Sequence, residues 1–133
     1  MARCVIAGMT YFLFVFLLGF GLGTLRVLLV APRLGETTAV LLEVPIMLAA
    51  SWVVCGRCKR RFDVPPRADA KALMGAVAFV LLITAEMAVA VFLFGRSPTD
   101  FLTGYRTTAG AIGIAGQVAF GLMPLWVPAC RQT

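Results

Sequence analysis

An all-α, membrane-embedded antiparallel four-helix bundle is the fold class this sequence predicts, and three observations predict it. Hydrophobic residues make up 61% of the 133 and charged residues only 14%, where a soluble domain runs near half apolar and a quarter charged. The apolar residues gather into four runs, about 5–31, 37–54, 72–94 and 109–127, and a helix needs roughly 20 such residues to cross a bilayer. Period-2 alternation of polar and apolar residues is missing, and open sheets cannot satisfy their edges in lipid, so strands are not expected. The four runs consume most of the chain, which is read as one transmembrane domain over 1–133.

Arg3 precedes the first run, as in a secretory signal. A signal's apolar region is about 7 to 15 residues and leads to a small-residue cleavage site. This run is far longer and ends at Arg33-Leu34-Gly35-Glu36, so it reads as a retained helix. Pro32 and Gly35 are helix-ending and turn residues, and so short a connection makes the first two spans antiparallel neighbours. In the second span Pro45 follows Glu43 by two residues; it removes one backbone hydrogen bond, kinks the axis and frees the carbonyl of Leu41. The stretch 56–71, with Pro65-Pro66 and mixed charge, is expected to be an exposed irregular connection. Between the third and fourth spans, Ser97-Pro98 and Asp100 offer a turn or helix cap before Phe101. Gly19 and Gly23 form a GxxxG in the first span, and Gly110, Gly113, Gly116 and Gly121 punctuate the fourth. In lipid, small residues let helix backbones approach closely. Gly19, Gly23, Gly113 and the kink at Pro45 are therefore the expected helix-packing positions, within one bundle or between copies.

A net charge of +6 raises the question of nucleic acid, but its placement answers it. Six of the twelve basic residues, Arg57, Lys59, Arg60, Arg61, Arg67 and Lys71, fall in the connection between the second and third spans. Basic connections flanking membrane helices are the cytoplasmic ones. Four spans then put both termini on that side, giving an N-in, C-in multi-pass protein of a bacterial inner membrane. Trp52 and Trp126 fall near the inner boundary and Tyr105 near the outer one, as in an aromatic belt. The expected partners are the lipid bilayer, anionic headgroups beneath the basic connection, and a homo-oligomer or larger membrane complex, with no nucleic acid.

Charges at membrane depth are costly and mark a bundle interior or a pathway. Arg26, Glu43 and Glu86 each sit inside a different apolar run. At about 1.5 Å per residue, Arg26 and Glu43 lie roughly 8 to 9 Å from the outer helix ends, and Glu86 and Gln117 roughly 12 Å. One polar group per helix thus falls in the same outer half. A guanidinium can hold a carboxylate bidentately, so Arg26 with Glu43 across the short turn is the favoured pair. Glu86 then either takes a proton or shares Arg26, with Gln117 as an added donor. A structural lock between helices and a proton, ion or small-solute pathway through Glu86 and Glu43 both follow from such a layer.

Cys55 and Cys58 form a Cys-x-x-Cys at the inner end of the second span, with Cys4 and Cys130 near the ends of the sequence. All four collect at the cytoplasmic face, where structural disulfides are not expected. Four thiolates would suit zinc or an iron-sulfur cluster, and one pair would suit thiol exchange. The spacing matches no established ligand pattern, so no cofactor is the primary expectation. Four-helix membrane disulfide oxidoreductases also carry such a pair, but their working cysteines act at the outer face.

The stretches Gly23-Thr24-Leu25-Arg26, Pro32-Arg33-Leu34-Gly35-Glu36 and Glu43-Val44-Pro45-Ile46-Met47, with Gly116-Gln117, resemble a family of small, uncharacterised bacterial four-helix integral membrane proteins. The resemblance implies a location and a helix count, and no activity. The expected role is non-enzymatic, a structural or accessory membrane subunit with an intramembrane polar cluster. The alternatives are a proton-coupled transporter or ion pathway, and thiol or metal chemistry at Cys55 and Cys58.

Overall fold

The computed structural model describes residues 2–93 and 95–127. Among them the chain forms six α-helices and no strand. Helix α1, Ala2–Leu25, passes through a π-helical turn, Arg26–Val30, into the short α2, Ala31–Leu34. Gly35 then redirects the chain at a φ of 85°, a left-handed value that a residue without Cβ adopts at little cost. Helix α3 follows over Glu36–Arg61 and α4 over Ala68–Phe92. The connection expected over 56–71 shrinks to 62–67, because Lys59, Arg60 and Arg61 fill the last turn of α3 and Asp69 the first turn of α4. Cations at a helix C-terminus and anions at an N-terminus offset the helix dipole, so the charge pattern that suggested a loop extends both helices.

Helix α5, Pro98–Thr103, is opened by a capping box. The Asp100 N–H donates to the Ser97 hydroxyl at 3.1 Å, and the Ser97 N–H to the Asp100 carboxylate at 3.5 Å. A 3₁₀ turn, Gly104–Arg106, leads to α6, Thr108–Trp126, whose first turn is capped by the Thr107 hydroxyl accepting from the Gly110 N–H at 3.0 Å. Cys130 and Arg131 lie outside the described residues, as does Phe94 at the expected end of the third span.

Helix α1 packs against α3 and α4, and α6 packs against the same two, so the four long helices close a ring. The buried core lies at one end of it. Cys4, Ala7 and Tyr11 at the start of α1 meet Cys55 and Cys58 near the end of α3, Met74 early in α4, and Phe120 and Met123 late in α6. Two glycines permit this convergence. A Cβ on Gly8 would sit 2.7 Å from the carbonyl oxygen of Met74, and one on Gly75 would run into the carbonyl of Gly121. By contrast, a Cβ on Gly19 would meet only the Met47 methyl at 3.2 Å, one on Gly23 only the Arg26 side chain at 4.0 Å, and one on Gly113 nothing within 4 Å. Pro45 is inside α3 but exposed. The closest backbone approaches therefore fall at Gly75, at Gly110, where a Cβ would run into the Gly104 carbonyl oxygen, and at Gly8, away from the GxxxG.

A proline and a lysine explain how this end is closed. Pro124 lies inside α6 and has no N–H, so the carbonyl of Phe120, one turn earlier, has no helical donor. The Tyr11 hydroxyl donates to it at 2.9 Å, from a side chain with no exposed surface, while its ring stacks on Phe120 at 4.4 Å. Lys59 corrects a second expectation: it is 3% exposed rather than solvated. Its ammonium donates to the carbonyl of Pro124 at 3.0 Å and to that of Val127. The last carbonyls of a helix have no partners within it and carry the negative end of its dipole, and Lys59 satisfies them here.

Four helical stretches, Ala2–Val30, Glu36–Arg61, Ala68–Phe92 and Thr108–Trp126, are long and apolar enough to cross a membrane by length and composition. Their outward surface carries Leu28, Val80, Phe92 and Trp126, each more than half exposed.

Candidate functional site

Away from the packed end, the four long helices enclose a cavity of about 830 Å³. Its floor is Val15, Ser51, Leu82 and Phe120, all buried and continuous with the core or its immediate neighbours. Glu36, Arg96 and Thr107 line it where the chain is exposed. Arg26, Glu43, Glu86 and Gln117 all line this one space, each from a different helical segment.

Arg26 opens the π-helical turn that ends α1. Its Nε lies 2.7 Å from Glu43 Oε2, with 27% and 18% of the two side chains exposed. The same Nε is buried without an aligned hydrogen bond. The atoms are in contact, but the carboxylate oxygen lies off the N–H direction. The contact is an ion pair, held by charge rather than by hydrogen-bond geometry, and π turns inside helices are frequent at functional positions.

Glu86 from α4 is paired differently. The Gln117 amide of α6 donates to Glu86 Oε2, and the Tyr105 hydroxyl donates to Gln117 Oε1 at 3.5 Å. The three side chains form a directed string from the 3₁₀ turn to the carboxylate. Burial and the negative charge of Glu86 push the Tyr105 phenol up to about 12, against the opposing effect of its bond to Gln117, so Tyr105 keeps its proton and remains a donor. The Arg26–Glu43 pair and the Glu86–Gln117 pair are thus two adjoining units, rather than one bidentate cluster.

Tyr105, which the sequence puts near the outer boundary, is half-buried over the cavity and bonded to Gln117. It sits in the 3₁₀ turn Gly104–Arg106, between α5 and the Thr107 cap of α6. Arg96 was also missed as a lining residue; its guanidinium donates to the Asp100 carbonyl at 2.9 Å. No periodic pattern marks either residue, because both belong to a connection.

The cysteines lie at the opposite end. Cys4, Cys55 and Cys58 are buried in the core, and Cys130 is outside the described residues. Among the described residues, no three Cys, Asp, Glu or His side chains are grouped to hold a metal ion. Burial pulls these thiols away from the solvent access that exchange chemistry needs. No family model matches this chain, and no curated protein and no solved structure matches it.

Proposed function

We propose that the chain is a small, non-enzymatic, multi-pass subunit of a bacterial inner membrane, an antiparallel four-helix bundle with both termini inside, which holds a small ligand in a pocket entered from the outer side. The membrane placement is supported by the four long apolar helices and by their exposed apolar exterior, which a water-soluble monomer rarely tolerates over so large an area. The orientation is supported by the basic residues of the α3–α4 end, which coincides with the packed end of the ring. Anionic headgroups are the partners of that end, and a larger membrane complex or homo-oligomer is the setting for an accessory role.

The single observation that carries the ligand-holding role is the cavity lined by Arg26, Glu43, Glu86 and Gln117. Its size is in the range of small-molecule pockets, which run from about 300 to 1,000 Å³. A continuous pathway finds less support, since Tyr11, Met74 and Met123 are packed in the core beyond the floor.

A sidedness experiment tests this reading. Cysteine placed at Gly113 should react with a membrane-impermeant maleimide added outside intact cells, whereas cysteine at Arg60 should react only after the inner face is opened. Reporters inserted at Thr99 and Pro65 should score external and cytoplasmic in the same way. The reversed pattern, or a Gly113→Cys that no maleimide reaches from either side, sinks the proposal.

A further inference from the structure

We propose that the cavity binds a monovalent organic cation with an apolar body, its charge set against the Glu86 carboxylate. The inference rests on the reading of the cavity as a ligand pocket and deepens it by naming the ligand's chemical class.

The charges of the lining decide the sign. Two arginines and three glutamates line the space. Arg26 and Glu43 neutralise one another in contact. Glu36 and Arg96 have opposite signs and are exposed, where water screens them. Glu86 is left, and its one hydrogen bond among the described residues comes from a neutral amide, Gln117. A carboxylate away from bulk water is stabilised by a cation at contact distance, and no cationic side chain among the described residues is in ion-pair contact with it.

The walls decide the rest. Phe16, Phe20, Phe101 and Tyr105 present aromatic surface, with Phe101 and Tyr105 edge to face at 5.3 Å. Aromatic faces attract cations and apolar groups alike. A hard divalent ion needs six or more oxygen ligands, which one carboxylate and an amide do not supply. An anion would have to compete with Glu43 for Arg26. A single positive charge carried on a hydrophobic frame satisfies both the carboxylate and the walls. Such a group occurs on free lipophilic ammonium compounds and on the ammonium headgroup of a zwitterionic lipid.

The test uses the full-length protein in neutral detergent and three probes of similar shape: tetraphenylphosphonium, triphenylphosphine oxide and tetraphenylborate. The cation should bind at about one per chain, with the neutral and anionic probes weaker by about tenfold or more. Glu86→Gln should weaken the cation by about tenfold while leaving the neutral probe unchanged. Equal binding of the three probes, or full cation affinity in a folded Glu86→Gln protein, overturns the proposal. Should Glu86→Gln fail to fold by circular dichroism and gel filtration, Gly113→Phe decides. A Cβ there meets nothing within 4 Å, so the ring enters the cavity and should expel the cation with Glu86 intact; retained binding overturns the assignment. Nanodiscs of phosphatidylglycerol, with and without phosphatidylethanolamine, separate the two sources of the same chemistry. Loss of the cation on adding the ethanolamine lipid assigns the site to a headgroup, and unchanged binding assigns it to a free cation. Labelling of Gly113→Cys reports the pocket whatever its charge, so a failure of cation preference alone leaves the sided pocket standing.

Discussion

Changing Tyr11 to phenylalanine removes one hydroxyl from the packed end and leaves its ring stacked on Phe120 at 4.4 Å. The carbonyl of Phe120 then faces Pro124, which has no N–H, in a place water does not reach because the Tyr11 site has no exposed surface. A buried acceptor deprived of its donor costs about 1 to 3 kcal/mol. The same hydroxyl's approach to the Met123 sulfur, at 3.6 Å, adds little, because a thioether is a weak acceptor. The expected loss is therefore about 2 kcal/mol. Pro124→Ala returns an N–H to the carbonyl, so in that background Tyr11→Phe should cost less than about 0.5 kcal/mol. Reversible unfolding in mixed micelles, followed by far-ultraviolet circular dichroism for the parent, both single variants and the double variant, closes the cycle. An equal cost of Tyr11→Phe in both backgrounds would show that the hydroxyl does not serve the carbonyl that proline leaves open.

Two further stability predictions use the same assay. Because the Arg26–Glu43 side chains keep 27% and 18% of their surface exposed, Arg26→Leu should cost about 1 to 3 kcal/mol, below the 3 to 5 of a sealed pair, and adding Glu43→Leu should recover part of it. No loss in the single variant means that Glu43 is already hydrated. Gly75→Ala should lose more than about 2 kcal/mol by driving a methyl into the Gly121 carbonyl, whereas Gly21→Ala, with nothing within 4 Å, should be neutral or gain up to about 1 kcal/mol from helix propensity. Equal effects at the two glycines contradict the packing described.

Much of the architecture is legible in the chain because hydropathy registers long apolar helices directly. The short connection before the second span likewise predicts that the helices carrying Arg26 and Glu43 are neighbours, and the structure joins those residues, though Pro32 stays helical in α2 and Gly35 alone makes the turn. Glu86 and Gln117 were placed at one depth by counting, yet counting along helices gives no rotation about their axes. It could not show that the amide answers the carboxylate while Arg26 goes elsewhere. Lys59 was misread because charge at the end of a span looks alike whether it meets water or the end of another helix. The need that recruits it, carbonyls left open at the close of α6, lies 65 residues away. Tyr11 escapes notice for the same reason, since its partner exists only because Pro124 removes a donor from a distant helix. Glycine spacing marks where backbones are able to approach: Gly110 and Gly121, marked in the fourth span, take part in close approaches, and Gly8 and Gly75 add two that no spacing marks.

A ring of helices tied at one end is a set of levers. From Tyr11 at the tie to Leu25 at the end of α1 is 14 residues, about 21 Å of helix. A tilt of about 5° about the tie moves that far end by about 2 Å, roughly the half-width of a hydrocarbon chain, while atoms near Tyr11 scarcely shift. Such a tilt would change the aperture of the pocket while the contacts around Tyr11, Cys55 and Met74 stay in place. Rigidity and adaptability are separated along the helix axes, and the short sequence needs no hinge loop to obtain both.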